Sequence, residues 1–520
     1  MDYLKIGKAV QLEGGDRKLY RFLEILPGFL SWGTLILLLI FSYFRPVIVA
    51  YFLIAFDVYW LLLVIFLAIH LYVAYRRMEK SLNTDWHDQC ELLGKRKVEL
   101  NSGEFKIMSS EDLIHLIIFP IYNESSEVIE HSIQSIVNSK YSSEKIILVL
   151  TYEERGGEDL KRRIQIIQEK YRSKFRTLYI TMHPDGIEGE LKGKGSNQAW
   201  AAKHVKRDIV DRENLNYDQI LVSVFDIDTV ISPDYFYCLS HKFLSVERPY
   251  RASFQPVPVY NNNLWQAPFF ARVAASSNTF WQMMQQVRNE KLATYSSHSM
   301  TWRALVEIGF WSTNMVSEDS RIFWHCFCYY KGDYRVEPLD YPVSMDVCMD
   351  ENSWKTFKNL YKQQLRWGWG VENIPYLIFN TIKEWKHIPK MKFISRIWVQ
   401  LYGFHSWATN ALIIAVIGWM PMLIGGDRFN VTVLSSNLPL VTRTLMMLAM
   451  FGLIFSAIIS TLLLPKRPKK YGVLKNVSMV IQWAILPISI IIFGSIPGLH
   501  SQTKLMFKKY MGFWVTPKAR

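Results

Sequence analysis

Runs without charge divide the chain. Between residues 28 and 75 only Arg45 and Asp57 are charged, and residues 397–426 and 476–503 carry no charge at all. A helix needs about 20 apolar residues to span a hydrocarbon core. The runs 28–44 and 51–74, split at Arg45-Pro46, therefore predict two membrane helices, and 406–424, 440–464 and 476–496 predict three more. Residues 80–350 contain no such run. There, short apolar segments at 114–119, 146–151, 177–181 and 219–225 alternate with helix-length stretches at 126–139, 159–172 and 196–207. This alternation predicts a parallel sheet with helices on both faces, and such sheets bind ligands beyond the carboxyl ends of their strands. Residues 352–395 are rich in Trp, Lys and Arg, with apolar residues at helical spacing, and predict amphipathic helices at the membrane surface. The expected order is a tail with two membrane helices (1–79), an α/β domain (80–350), interface helices (351–395), three membrane segments (396–500) and a basic tail (501–520).

Half of the 520 residues are hydrophobic and 14% are aromatic, which excludes intrinsic disorder. The formal charge of +14 fits an anionic substrate or a cytoplasmic membrane face, and no nucleic-acid motif is visible. Lys5, Lys8, Arg17, Lys18 and Arg21 precede the first pair of spans and Arg76, Arg77 and Lys80 follow it, so both outer ends are expected to be cytoplasmic. The first 27 residues are polar and lack the pattern of a signal peptide. Cys90, Cys238, Cys326, Cys328 and Cys348 are odd in number and unpatterned, which argues against a disulfide framework. His325-Cys326-Phe327-Cys328 lies in a run that reads as buried helix, so core packing is expected there rather than a metal.

Candidate chemistry falls at strand ends. Asp226 and Asp228 follow the run 219–225, and residues two apart on a strand face one way, so one or both could ligate a hard divalent cation holding a diphosphate. Lys192-Gly193-Lys194-Gly195-Ser196-Asn197 offers cations and bare amides where a helix opens, which suits phosphate, although the spacing is not that of a Walker loop. Glu153 and Glu154 end the second strand. Ser317-Glu318-Asp319 opens a helix, where an acid pair could also be a cap, and Gln363-Gln364-Leu365-Arg366-Trp367 sits among the interface helices.

Taken in order, Asp226-x-Asp228, Glu318-Asp319 and Gln363-Gln364-x-Arg366-Trp367, flanked by two and three membrane segments, resemble the membrane-bound family-2 glycosyltransferases, the group of cellulose, chitin and hyaluronan synthases. The resemblance implies a GT-A-type, Rossmann-like α/β domain, facing the cytosol and inserted between membrane helices, that binds a nucleotide sugar, UDP-linked by family habit. It implies donor contacts from Asp226, Asp228, Lys194, Asn197 and Arg366, with Asp228 as ligand of Mg²⁺ or Mn²⁺. It implies Asp319 as general base, and acceptor contacts from Trp367, Glu318, Gln363 and Gln364. The family's first acidic site is usually Asp; here it reads Glu153-Glu154, and which of the two meets the nucleotide stays open. Only about 20 residues follow the last predicted span, leaving no expected home for a carboxyl-terminal regulatory domain.

Three functions fit: a synthase elongating a polysaccharide, a transferase adding one sugar to a lipid or lipid-linked acceptor, and a membrane scaffold with an inactive domain. Joint presence of Asp228, Asp319 and Arg366 counts against the third. Three carboxyl-terminal spans are few for a channel, a shortage that a homo-oligomer would make up. Five spans would put residues 498–520 outside, yet Lys504, Lys508, Lys509, Lys518 and Arg520 favour the inside. Pro487 and Pro497 could break the last span into a re-entrant segment. Asn430-Val431-Thr432 in the predicted external loop fits a glycosylation sequon.

Overall fold

The computed structural model describes residues 3–472 and 474–516; Lys518 and Arg520 of the basic tail lie outside the described residues. Helices α1 (Gly14–Phe44) and α2 (Pro46–Leu82) come first, with Pro46 opening α2 where no backbone donor is needed. Helix α3 (Trp86–Leu93) and an antiparallel ribbon, β1 (Arg96–Glu99) with β2 (Phe105–Met108), lead into the α/β domain. That domain runs β3 (Ile114–Ile121), α4 (Ser126–Val137), β4 (Ile146–Glu153), α5 (Gly157–Tyr171), β5 (Thr177–His183), α6 (Lys194–Val205), β6 (Ile220–Val224), β7 (Val230–Ile231) and α7 (Tyr235–Ser245). It continues with β8 (Ala252–Tyr260), α8 (Phe269–Val287), β9 (Ser299–Thr301), α9 (Trp302–Glu307), α10 (Glu318–Tyr329) and β10 (Arg335–Met345). After it come α11 (Ser353–Gly368), α12 (Asn373–Lys383), α13 (Lys390–Ala415), α14 (Met420–Ile424), α15 (Asp427–Asn430), α16 (Val433–Leu462), α17 (Leu474–Ile481), α18 (Leu486–Ile490) and α19 (Ile496–Met506).

Eight strands form one sheet in the order β5-β4-β3-β6-β9-β8-β10-β7. The four strands foreseen from the sequence are parallel, as expected. The rest make the sheet mixed rather than wholly parallel: β9 runs antiparallel to β6 and β8, and β7 antiparallel to β10. Strand pleating sorts the core. Ile117, Phe119, Leu148 and Leu150 pack with α4, α5 and α7 on one face, while Leu116, Ile118, Ile147 and Val149 pack with α6 and α10 on the other. Residues 325–328 lie in this second layer, all buried, and all five cysteines are buried.

Among the described residues five helical stretches are long and apolar enough to cross a membrane: Gly14–Phe44, Pro46–Leu82, Lys390–Ile424, Val433–Leu462 and Leu474–Met506. The last is broken. A 3-10 turn and a π turn interrupt it, and Pro487 and Pro497 open α18 and α19. Near its start Arg272 of α8 donates from Nε to Gln482 Oε1 at 2.6 Å. Just after its end the ring of Phe513 lies against Gly193. Both ends therefore touch the α/β domain, and the tail lies on the same side as that domain.

Helix α12 is a core element: Tyr376, Leu377 and Phe379 are fully buried, and Phe379 receives the ring edges of Tyr3 and Tyr20. Arg321 of α10 pins these parts together. It donates to Asn373 Oδ1 at 2.7 Å, to the Ile6 carbonyl at 3.1 Å and to the Glu372 carbonyl at 3.2 Å, with its guanidinium 3.8 Å over the Tyr376 ring. Each buried acceptor left unpaired costs about 1–3 kcal/mol. Arg321→Ala should therefore lower stability by roughly 3 kcal/mol or more and free the amino-terminal segment. Limited trypsin digestion should then cut at Lys8 or Arg17 in the variant well before it does in the parent.

Candidate active site

Beyond the carboxyl ends of β3, β4 and β6 lies a cavity of about 710 Å³. Its centre is the ammonium of Lys194, the first residue of α6. Lys194 is 9% exposed and sits 2.6 Å from Asp226 Oδ1 and 2.9 Å from both carboxylate oxygens of Asp319. Burial disfavours its charge, but Asp226, Asp319 and Glu318 outweigh that and raise its pKa. The second oxygen of Asp226 accepts from Ser296 Oγ at 2.6 Å.

Asp226 and Asp228 do not lie side by side on a strand face, as strand alternation would have them. Strand β6 ends at Val224, and both residues sit in the turn that follows, closed by the Thr229 N–H to the Asp226 carbonyl at 2.8 Å. Asp226 pairs with Lys194, whereas Asp228, 1% exposed, accepts from the Asp346 N–H at 2.8 Å. Asp346, just past β10, is itself buried, and its carboxylate and the Asp228 carbonyl both accept from Asn262 Nδ2 at 2.9 Å. Two buried carboxylates held together by shared amides make an all-oxygen donor set, which fits Mg²⁺ or Mn²⁺ rather than a softer ion.

Asp319 and Glu318 occupy the first turn of α10, where an acid pair also complements the positive end of the helix, and the Ser317 side chain makes no capping bond. The loop before them is fixed from α11's far end: Glu372 Oε1 accepts the Ser317 N–H at 3.0 Å and the Val316 N–H at 3.3 Å, while Trp369 Nε1 donates to Glu372 Oε2 at 2.9 Å. The run after Gln363-Gln364-Leu365-Arg366-Trp367 thus holds the acid pair in place. Gln363, Gln364, Arg366 and Trp367 all line the cavity. Among the described residues Arg366 Nε and Gln364 Nε2 are buried donors without a hydrogen-bond partner. The Trp367 ring lies 6.1 Å from that of Tyr260, making an aromatic wall.

At the end of β4, Glu153 is buried and lines the cavity, its carboxylate paired with Arg155. Glu154 is exposed and accepts the Asp185 N–H at 2.9 Å, so of the two glutamates it is Glu153 that lines the cavity. Asn197 lines the cavity but spends its amide on the ends of β3 and β4, donating to the Thr151 carbonyl at 3.1 Å and accepting from Thr151 Oγ1.

Residues 221–493, more than half of the chain, match the profile of Glycosyl transferase family group 2. The chain belongs to that family. No curated protein sequence matches it. Among solved structures it is similar to the mannosyltransferase PcManGT from Pyrobaculum calidifontis, solved in complex with GDP-Man and Mn2+, at 14% identity over 78% of this chain and 98% of that one, with a TM-score of 0.44. It is also similar to residues 1–349 of S. aureus TarS, at 11% identity over 67% of this chain and 91% of that one, with a TM-score of 0.36.

In this family-2 glycosyltransferase the structure adds residues that motif reading missed. Asp346 and Ser296 stand in short, unpatterned segments. The tail residues Phe513, Val515 and Thr516 line the cavity as well. Phe513 lies under the Arg366 guanidinium at 4.9 Å and packs where a Cβ on Gly193 would stand 2.4 Å from its ring, at a φ of +149°. A glycine is therefore required at 193 for the tail to lie there.

Glu318, 2% exposed, has its pKa raised first by burial and then by the neighbouring Asp319 carboxylate, to about 8. Its folded pKa thus exceeds its unfolded value, the folded state holds more protons, and stability falls as pH rises from the ordinary carboxylate range to about 8. Glu318→Gln cannot ionise. Thermal unfolding followed at about pH 5 and about pH 9 should give the variant a smaller loss of midpoint than the parent.

Proposed function

We propose that the protein is an inverting glycosyltransferase that moves a sugar from a nucleoside-diphosphate sugar onto a growing polysaccharide. The observation that carries this reading is the shape of the cavity. It runs from Asp226, Asp319 and Arg366 into the membrane helices, between Trp60 of α2, Tyr402, Trp407 and Asn410 of α13, and Ser489 of α18. Aromatic faces beside amide and hydroxyl groups suit pyranose rings, which offer an apolar face and a polar rim.

The chemistry is one displacement. The acceptor hydroxyl gives its proton to the Asp319 carboxylate as its oxygen bonds to the anomeric carbon, and the bond from that carbon to the diphosphate breaks with its electron pair on the diphosphate. Lys194, raised in pKa and shared between Asp226 and Asp319, stands beside the departing charge. Arg366 adds a second cation. A divalent cation held by Asp228 and Asp346 would, when bound, offset charge on the diphosphate. Glu153 is positioned for the nucleotide and Trp367 for the acceptor ring.

Charge at the span ends supports a catalytic domain on the cytoplasmic face. Lys5, Lys8, Arg17, Lys18, Arg21, Arg76, Arg77, Lys80, Lys466, Arg467, Lys469 and Lys470 adjoin the α/β-domain side, against Arg45 and Arg428 on the other.

The deciding experiment is product length. Purified enzyme given labelled nucleotide sugars should yield a ladder of lengthening glycans; one added sugar per acceptor would replace this reading with single addition. Asp319→Asn should lose about 10²–10⁴-fold in turnover while binding the donor as before by calorimetry. Trp367→Ala should lose transfer to acceptor and keep donor hydrolysis by water, whereas Arg366→Ala should lose both. Equal losses in both activities for Trp367→Ala would end its role as an acceptor platform.

A further inference from the structure

Helices α2 and α13 both line the membrane part of the cavity. At their outer halves Val49 and Leu53 of α2 and Ala408 and Ile413 of α13 belong to one apolar cluster, joined there by Leu35 of α1. Nearer the α/β domain the hydroxyls of Tyr59 and Tyr402 meet. Inward of that contact the helices part: Leu63 and Leu67 of α2 line the cavity from one side, Val399 and Gln400 of α13 from the other.

Cations stand at the mouth of this cleft. Arg288, at the end of α8, and Lys291 line the same cavity. The Arg288 guanidinium lies 5.2 Å over the ring of Phe66 on α2 and pairs with Glu290 at 2.7 Å. Arg396 of α13 donates to the Glu290 carbonyl, adding a third cation against one carboxylate, and that carboxylate is 61% exposed. Among the described residues Lys291 has no ion pair, and burial together with Arg288 lowers its pKa. A cationic rim at the membrane surface, below two walls of leucine and valine, complements a molecule with an anionic head and an apolar tail.

We propose that the α2–α13 cleft binds one anionic phospholipid of the surrounding bilayer, its phosphate on Arg288 and Lys291 and its acyl chains against Leu63 and Leu67. The lipid closes the vestibule sideways and keeps Gln400 and the groups behind it out of contact with free hydrocarbon, where an unpaired amide is costly. This goes beyond the transfer reaction and holds whatever the acceptor proves to be.

Native mass spectrometry of the full chain, released from detergent after exchange with phosphatidylglycerol or phosphatidylcholine, tests it. One phosphatidylglycerol should stay bound, preferred over phosphatidylcholine by roughly 30-fold, the order expected of two basic side chains near a lipid phosphate. The double variant Arg288→Gln/Lys291→Gln should lose that preference. Leu67→Trp, which fills the cleft and leaves the cations, should lose the bound lipid too, and keeps the test alive if the double variant fails to fold. Inorganic phosphate at millimolar concentration should not displace the lipid. Equal retention of both lipids, retention in both variants, displacement by phosphate alone, or a lipid-linked sugar found in place of the phospholipid would each overturn the proposal.

Discussion

An ammonium held between two carboxylates from distant parts of the chain is the constraint on which the catalytic region depends. Lys194 begins α6, Asp226 follows β6, and Asp319 begins α10; no two of them are neighbours in sequence. Taking three charges into a cavity wall is favourable only when they neutralise one another at close range. Their distances of 2.6 and 2.9 Å meet that condition, and they hold the two helix starts and the β6 turn in one arrangement. Removing Lys194 would leave two carboxylates without the ammonium they share. The cluster thus joins stability and chemistry in the same atoms.

The second tie reaches outward. Glu372 fixes the loop before Asp319, and Arg321 fixes Glu372's own backbone together with the amino-terminal Ile6. The amino-terminal segment, the helix after Trp367 and the acid pair at α10 therefore form one hydrogen-bonded unit. A change at the first few residues can alter the position of Asp319 with no direct contact between them.

Most of the membrane plan and half of the sheet were legible in the sequence, because charge-free runs and β-branched strands are local signals. Strands β8 and β10 were not: each carries two prolines, Pro256 and Pro258 or Pro338 and Pro342, which break the usual strand pattern. The register of β10 against β8 slips between Pro338 and Pro342. Asp226, Asp228, Asp319 and Arg366 were legible as an ordered set of motifs. Asp346, Ser296 and Phe513 were not, since each gains its place from folding over long separations and none stands in a recognisable spacing. The different partners of Asp226 and Asp228 were hidden for another reason: strand alternation stops at Val224, and a turn obeys other rules.

The depth of the cavity has an electrical consequence. A space lined by Gln400, Asn410 and Ser489 admits water and ions, so it stays near the potential of the compartment it opens to. The dry cluster of Leu35, Val49, Leu53, Ala408 and Ile413 then becomes the thin layer across which a transmembrane voltage falls. A unit charge moved through that layer does about 2.3 kcal/mol of work per 100 mV, concentrated over a fraction of the bilayer's thickness. A neutral glycan would pass without regard to voltage. A chain bearing one carboxylate per sugar would be pushed or held at every step, and the membrane potential would set the pace of its exit.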